Sequence, residues 1–208
     1  MPRNSHPLLI AITAAALACG GSHDTADTTS AGDVAASDPC GTAASTQITP
    51  AGIGPLRLGE RVGDLPESCA PRDTTFTLGE GIMEQGSVVT IGGAPVLAMT
   101  SGSAEGVVSR IIVDDPAFRT EYGVGVGSTV ADLRRAQGRI CAFQGEGNTV
   151  VQAASVPGIS FEIGWSSADA PDQLLNEVFG QSEPSAAIDT AHITNLWIFE
   201  GRTACGGS

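Results

Sequence analysis

Short apolar segments punctuated by glycine recur in two series along the chain. The first series occupies residues 74–78, 87–91, 95–99 and 107–113, and the second occupies residues 139–144, 149–155, 159–165 and 193–200. Runs of this length, rich in β-branched residues and bounded by Gly, Pro or Asn, are typical of strands. The turns at 145–148 and 157–158 are short, so they predict that the first three strands of the second series form an antiparallel meander.

Helical signals are fewer. The segment 129–138 opens with the capping-box pair Thr129 and Asp132 and ends at a glycine. The segment 171–180 opens with a proline, carries an apolar stripe and also ends at a glycine. Around 62–65 there is room for one turn before a proline interrupts it. The predicted fold class is therefore a β-rich α+β domain with antiparallel sheet and two or three short helices.

The first 47 residues differ in composition from the rest of the chain. One arginine precedes an apolar run at 8–18, which is the layout of an export signal and is too short for a bilayer core of about 20 residues. Residues 20–47 contain no aromatic residue and no arginine, so they bury too little surface to fold alone. We predict a signal peptide at 1–18, a lipid-anchored tether at 19–47 and one globular domain at 48–205.

The residues around the predicted cleavage point resemble a known sorting signal. Ala16-Leu17-Ala18-Cys19 is similar to the lipobox of bacterial lipoproteins. This resemblance implies that Cys19 is diacylated and anchors the mature protein to a membrane of the cell envelope. Gly20, in place of an aspartate, resembles the outer-membrane default, so the periplasmic side of the outer membrane is expected rather than the inner membrane. Ordinary cleavage near Ala18, giving a soluble periplasmic or secreted protein, is the alternative.

A short motif occurs twice. Gly59-x-x-Val62-x-Asp64-Leu65 recurs 68 residues later as Gly127-x-x-Val130-x-Asp132-Leu133. A glycine turn and a helix followed by antiparallel strands, present twice, resembles the small repeat of the BamE (SmpA/OmlA) lipoproteins and of the β-lactamase inhibitor proteins. The resemblance implies two tandem repeats, at 48–118 and 119–205, whose sheets bind other proteins rather than perform chemistry.

Four cysteines remain beyond the predicted anchor, at Cys40, Cys69, Cys141 and Cys205. An even number in an exported chain predicts two disulfides, and sequence alone leaves three connectivities open. We favour Cys40–Cys69, which would fix the end of the tether, and Cys141–Cys205, which would lock the last strand. The chain has no Cys-x-x-Cys pair and no Cys/His cluster, so zinc is disfavoured. No metal site and no cofactor are assigned.

The charge balance narrows the choice of partner. The chain has 23 acidic residues against 10 basic ones, all of them arginine, so nucleic acid is not expected as a partner. Half of the basic residues fall in one stretch of 30 residues: Arg110, Arg119, Arg134, Arg135 and Arg139. They are the candidate interaction surface for an envelope protein, because arginine is favoured at interface hot spots. The alternative is that they are solvated or pair with nearby carboxylates.

Catalytic motifs are weak. The predicted domain contains one histidine, His192, with Asp189 three residues before it and no G-x-S-x-G elbow for a nucleophile. The glycines at 123–127 lack the spacing of a dinucleotide-binding loop. No catalytic residue is therefore assigned, and the sequence favours a non-enzymatic binding or structural module of the envelope. The alternatives are a protein inhibitor of the β-lactamase-inhibitor type and a hydrolase with unrecognised catalytic groups.

Overall fold

The computed structural model describes residues 38–77, 81–100, 106–145, 147–164, 183–201 and 205. Its strands are β1 (Gln47–Thr49), β2 (Gly52–Ile53), β3 (Leu56–Arg57), β4 (Arg72–Thr77), β5 (Met83–Ile91), β6 (Ala94–Thr100), β7 (Val108–Val113), β8 (Arg119–Thr120), β9 (Ile140–Gly145), β10 (Asn148–Ala153), β11 (Ile159–Ile163) and β12 (Ile193–Phe199). Within these described ranges there is one α-helix, α1, which spans Val130–Gln137. The same residues include short 3-10 helices at Val62–Asp64, Glu67–Cys69 and Ala186–Ile188.

Eight of the strands form one antiparallel sheet in the order β4-β5-β6-β7-β12-β11-β10-β9. The order describes two four-stranded meanders, β4–β7 and β9–β12, each with its strands in sequence. Their last strands meet at the centre, where Val113 lies opposite Leu196 and Ile111 lies opposite Ile198. The long sheet is therefore continuous across the two halves of the chain.

A second, smaller sheet has the order β3-β2-β1-β8. Its strands are two or three residues long, and β1 pairs in parallel with β8, which comes about 70 residues later. Buried side chains from this sheet, among them Ile48, Ile53 and Leu56, join those of the long sheet in one hydrophobic cluster. The cluster also takes in Val130 and Leu133 from α1, so the small sheet and the helix contribute to the same core.

The β-rich α+β class is confirmed, and strands lie in all eight predicted regions. The predicted capping box begins α1, whereas 62–65 forms only a 3-10 turn. The helix predicted at 171–180 lies outside the described residues. Sequence patterns missed β1 and β8, because strands of two or three residues owe their pairing to distant neighbours rather than to local periodicity.

The start of the domain differs from the prediction. Residues 38–47, assigned above to the tether, belong to the compact unit and fold with the domain. The Cys40 carbonyl accepts from the Gly92 amide, and the Thr46 carbonyl accepts from the Arg119 amide. These bonds and the Cys40 disulfide supply the order that the polar composition of this segment lacks.

Both disulfides have the favoured connectivity. Cys40 is bonded to Cys69, and Cys141 is bonded to Cys205. All four side chains are buried. The first bond ties the N-terminal segment to the turn before β4, and the second ties the C-terminal segment to β9. In the chain-entropy model, closing loops with separations of 29 and 64 residues stabilises the fold by roughly 4 kcal/mol each.

The N-terminus of α1 is held by reciprocal side-chain bonds. The Thr129 hydroxyl accepts from the Asp132 amide, and the Asp132 carboxylate accepts from the Thr129 amide at 3.0 Å. Arg135 also donates to that carboxylate, at 2.7 Å. The Thr129 amide, with Arg135 and the Thr129 hydroxyl, lowers the pKa of Asp132 to about 2. The charged carboxylate therefore stabilises the folded state above the ordinary Asp pKa of about 3.9, and this contribution is lost as pH falls towards 2.

We expect Asp132→Asn to lower the free energy of unfolding at pH 7, because the amide keeps an acceptor but loses the charge. The gap between variant and wild type should narrow as pH falls from about 4 to about 2. Urea denaturation across that range measures both effects. Asp64→Asn, at the matching position of the uncapped Val62–Asp64 turn, is the control and should change stability by less than about 0.5 kcal/mol. A gap for Asp132→Asn that is independent of pH would contradict the capping argument.

Candidate functional site

The face of the long sheet that points away from the core carries a row of apolar side chains, here called the outer row. Val88, Leu97, Ile112 and Trp197 lie directly opposite one another on β5, β6, β7 and β12. Each is partly exposed, whereas their neighbours along the strands, such as Val89 and Ile111, are fully buried in the core. Strand alternation therefore places the core on one face and the outer row on the other.

Arg110 lies beside this row on β7. Its guanidinium carbon is 5.0 Å from the centroid of the Trp197 ring and 6.0 Å from that of Phe199. Phe199 is directly opposite Arg110 in the register of β7 with β12. The cation is therefore held over two aromatic faces, an arrangement that favours arginine because its delocalised charge is weakly hydrated.

A pocket of about 140 Å³ opens next to Trp197 on the second meander. Its lining comprises Arg110, Phe143, Gly145, Val150, Ser160, Trp197 and Phe199. Val150 and Ser160 are buried and form the floor, at 3% and 2% exposure, while the other side chains form a partly exposed rim. The lining comes from five adjacent strands, so the rigid sheet sets its shape.

Two polar groups of the residues that line the pocket differ in their hydrogen bonding. The Ser160 hydroxyl accepts a hydrogen bond from the buried side-chain amide of Gln152. The indole Nε1 of Trp197 is buried, and no described residue provides an acceptor within hydrogen-bond distance. An indole nitrogen can only donate. Since this nitrogen has almost no solvent-accessible surface, it is a buried donor beside the pocket rather than one exposed to it.

The five arginines of the predicted interaction surface are not gathered in one place. Arg110 lies on the outer face, as described above. Arg119, on β8, donates to the Val126 carbonyl at 2.8 Å. A Cβ on Gly125 would collide with the Phe118 backbone carbonyl oxygen and with the Arg119 guanidinium, so this turn requires glycine. Arg119 therefore fixes the loop before α1.

The remaining three arginines lie on or just after α1. Arg134 donates from Nε to Asp189 at 3.1 Å and is bridged to Glu183 at 3.3 Å. It also donates to the Pro184 carbonyl at 3.1 Å. Arg135 is exposed and pairs with Asp132 in the preceding turn, and Arg139 is also exposed. Arg134 thus joins the helix to the segment that precedes β12.

His192 and Asp189, the histidine and carboxylate considered above for a catalytic triad, each have a different partner. His192 is exposed, and its Nδ1 lies 3.1 Å from the Gly127 carbonyl oxygen. The Asp189 carboxylate is engaged by Arg134. The amides of Ser128, Thr129 and Val130 donate to Gly125, Asp132 and Ala191 respectively, so the start of α1 has committed its donors.

The described part of the chain lacks both a metal-binding cluster and a membrane-spanning helix. It holds no group of three or more His, Cys, Asp or Glu side chains placed to bind a metal ion. Within the same residues, no helix is both long enough and apolar enough to cross a membrane.

The sequence did not single out Trp197 and Phe199 as surface residues. A core position is the default for a large aromatic residue within a strand, so the strand pattern alone favours burial of Trp197. The available signal was the alternation in β12: Leu196 and Ile198 are buried, and Asn195 precedes Trp197 by two positions. A polar residue two positions away indicates the face opposite the core, since side chains in a strand alternate.

Comparison with known proteins gives little. No family model matches the chain, and no curated protein matches it. Among solved structures, it is similar to the uncharacterized protein yfeY from Escherichia coli, with 18% identity and a TM-score of 0.47. That alignment covers 74% of this chain and 99% of the other.

We expect Arg134→Ala to lower the free energy of unfolding by about 1–2 kcal/mol, because three acceptors lose a charged donor in a side chain that is only 25% exposed. Arg135→Ala is the matched control, since that side chain is 74% exposed and forms one surface pair. It should cost less than about 0.5 kcal/mol. Equal effects in urea denaturation would show that the link to 183–189 does not stabilise the domain.

Proposed function

We propose that this protein is a lipid-anchored, non-enzymatic binding module of the bacterial cell envelope, and that it binds another protein through the outer face of its long sheet. The observation that carries the proposal is the outer row, with Arg110 stacked on Trp197 beside it. Four partly exposed apolar side chains in register form a continuous patch, which is characteristic of interaction sites.

The composition of this patch also supports a protein partner. Tryptophan and arginine are enriched among the residues that dominate binding energy at protein interfaces. Here the two stack on each other, so the Arg110 side chain is already ordered and loses less entropy on association. The row runs across strands that are paired on both sides, which gives a firm surface rather than a mobile one.

We further propose that the domain consists of two tandem repeats. Two glycines of the repeated motif make the same contact: the Gly59 amide donates to the Val108 carbonyl and the Gly127 amide donates to the Ile193 carbonyl, both at 2.8 Å. The correspondence extends to Val62 with Gly106 and Val130 with Ala191, both at 3.0 Å, and to Val108 with Glu60 and Ile193 with Ser128, both at 2.8 Å. Each motif thus pairs with the start of the last strand of its own meander.

The lipid anchor rests on the lipobox-like residues that end at Cys19. Acyl chains there would supply the membrane affinity, since two or more chains give stable anchoring without a basic patch. An outer-membrane location on the periplasmic side is part of the proposal. Two buried disulfides in the domain agree with an oxidising compartment outside the cytoplasm.

In-cell crosslinking of the tagged protein, followed by affinity capture and mass spectrometry, tests the binding function. We expect the wild-type protein to capture one envelope protein in a saturable manner. The amount captured should fall strongly with Arg110→Glu. Arg139→Glu is the control, because it makes the same charge reversal at an exposed arginine outside the outer face. Equal capture by both variants would contradict the assignment of the face. If the captured partner is an enzyme whose activity falls on binding, the module is a protein inhibitor.

We expect Cys19→Ser to prevent acylation and to move the protein from the membrane fraction to the soluble fraction. The substitution changes no residue of the described domain, so its disulfides and thermal unfolding should be unchanged. Fractionation of cells with an antibody against the domain measures the shift. A variant that still partitions with membranes would contradict the anchor.

A further inference from the structure

The long sheet has an open edge at β4. This strand stands first in the sheet order, and among the described residues only those of β5 pair with it. Edge strands in natural proteins are usually protected by proline, by a bulge, by short length or by a covering segment. β4 has six residues, no proline within them and an uninterrupted register with β5. The edge is therefore long and regular enough to take a further strand.

The turn between β5 and β6 determines which backbone groups of β5 face which neighbour. Gly92 and Gly93 both have positive φ and form a two-residue turn between Ile91 and Ala94. Such a turn closes with a hydrogen bond between its flanking residues, so Ile91 and Ala94 are a hydrogen-bonded pair. Hydrogen-bonded and non-hydrogen-bonded pairs alternate along antiparallel strands. The odd-numbered residues of β5 therefore bond to β6, and the even-numbered residues bond to β4.

The same alternation identifies the groups of β4 that face the open edge. Arg72 lies opposite an even-numbered residue of β5, so the even-numbered residues of β4 bond to β5. The N–H and C=O groups of Asp73, Thr75 and Thr77 point the other way, and all three residues are exposed. The Thr75 carbonyl also accepts from the Thr74 hydroxyl at 3.4 Å, and a carbonyl oxygen can accept a second bond. The edge thus offers three donors and three acceptors to another strand.

The surroundings of β4 are acidic. Residues 62–91 contain five acidic residues and one basic residue, Arg72. Glu67, just before β4, is exposed, and Glu84 lies on β5 opposite Phe76. Neither glutamate forms an ion pair with any residue that the structure describes. A second copy of this chain, with its own formal net charge of −13, would be repelled, whereas a cationic segment would be attracted.

We propose that β4 binds an extended segment of a partner protein that carries lysine or arginine, and that this segment adds to the long sheet as a ninth strand. Backbone hydrogen bonds to Asp73, Thr75 and Thr77 provide the affinity, and the acidic surroundings select the charge. An apolar side chain of the segment packs beside Phe76, because side chains approach most closely in non-hydrogen-bonded pairs. This surface is an edge of the sheet and is separate from the outer row, which lies on its face.

The test uses the acetylated and amidated peptide Lys-Val-Lys-Val-Lys-Thr. Paired antiparallel with its third residue opposite Thr75, it places a valine beside Phe76 and a lysine beside Asp73. It is titrated into the ¹⁵N-labelled full mature chain carrying Cys19→Ser. We expect saturable binding, with the largest resonance shifts and slowed hydrogen exchange at the amides of Asp73, Thr75 and Thr77. The affinity should fall as salt is added, because exposed charges are screened.

Two further peptides separate strand pairing from charge. Glu-Val-Glu-Val-Glu-Thr keeps the pattern but reverses the charge, so it should bind at least about tenfold more weakly. The cationic peptide N-methylated at its third residue keeps the charge but cannot donate to the Thr75 carbonyl, so a loss of about tenfold is expected. Unchanged affinity of either peptide would overturn the proposal. Absence of saturable binding of the cationic peptide, or shifts confined to residues outside β4, would also overturn it.

A matched pair of variants tests the same hydrogen bonds from the side of the protein. Thr75→Pro removes an N–H that faces the open edge and leaves the pairing with β5 in place, since proline is tolerated on edge strands. It should lower the affinity about tenfold, whereas Thr75→Ala keeps the N–H and should stay within about twofold of wild type. Unchanged affinity in Thr75→Pro would contradict strand addition. If Thr75→Pro does not fold, the N-methylated peptide makes the same test on the wild-type protein.

Sedimentation of the protein alone tests a second copy as the occupant of the edge. We expect the mature chain carrying Cys19→Ser to be a monomer, because the acidic surroundings of β4 repel one another. A dimer that persists in Thr75→Ala and dissociates in Thr75→Pro would assign the edge to a second copy. That result would overturn the choice of a cationic partner.

Discussion

The antiparallel pairing of β7 with β12 is the interaction on which the rest of the structure depends. These strands end two meanders that are far apart in sequence, so their pairing closes a long loop and is entropically costly. The cost is offset because Ile111 and Ile198 lie opposite each other in the core and are completely buried. Without this pairing, each meander would expose an additional strand edge, and the shared hydrophobic cluster would be divided.

The same pairing builds the candidate site. Ile112 lies opposite Trp197, and Arg110 lies opposite Phe199, in the register that brings the buried residues together. A slip of one residue would exchange the core and outer faces of one strand, which would bury Arg110 and expose Ile111. The requirement to bury the core therefore also fixes the stacking of Arg110 on Trp197. Folding and the candidate site therefore share one set of strand contacts.

The disulfides and Arg134 stabilise segments outside the centre of the long sheet: the two ends of the domain and α1. Cys40–Cys69 fixes the N-terminal segment beside β4, which is one edge of the long sheet, and Cys141–Cys205 fixes the C-terminal segment to β9, which is the other edge. Arg134 ties α1 to 183–189, just before β12. Crosslinks at both edges thus complement the pairing at the centre.

The sequence by itself determined the β-rich class, the approximate positions of eight strands, the capping of α1 by Thr129 and Asp132, and the presence of paired cysteines. These features follow from local alternation, turn residues and composition. Tertiary structure alone decided the order of the strands, the folding of residues 38–47, and the position and contacts of each arginine. Local periodicity predicts that Trp197 and Leu196 lie on opposite faces of β12. It does not predict which of the two faces packs against the core. That choice depends on which strands become neighbours, and the neighbours of β12 come from both halves of the chain.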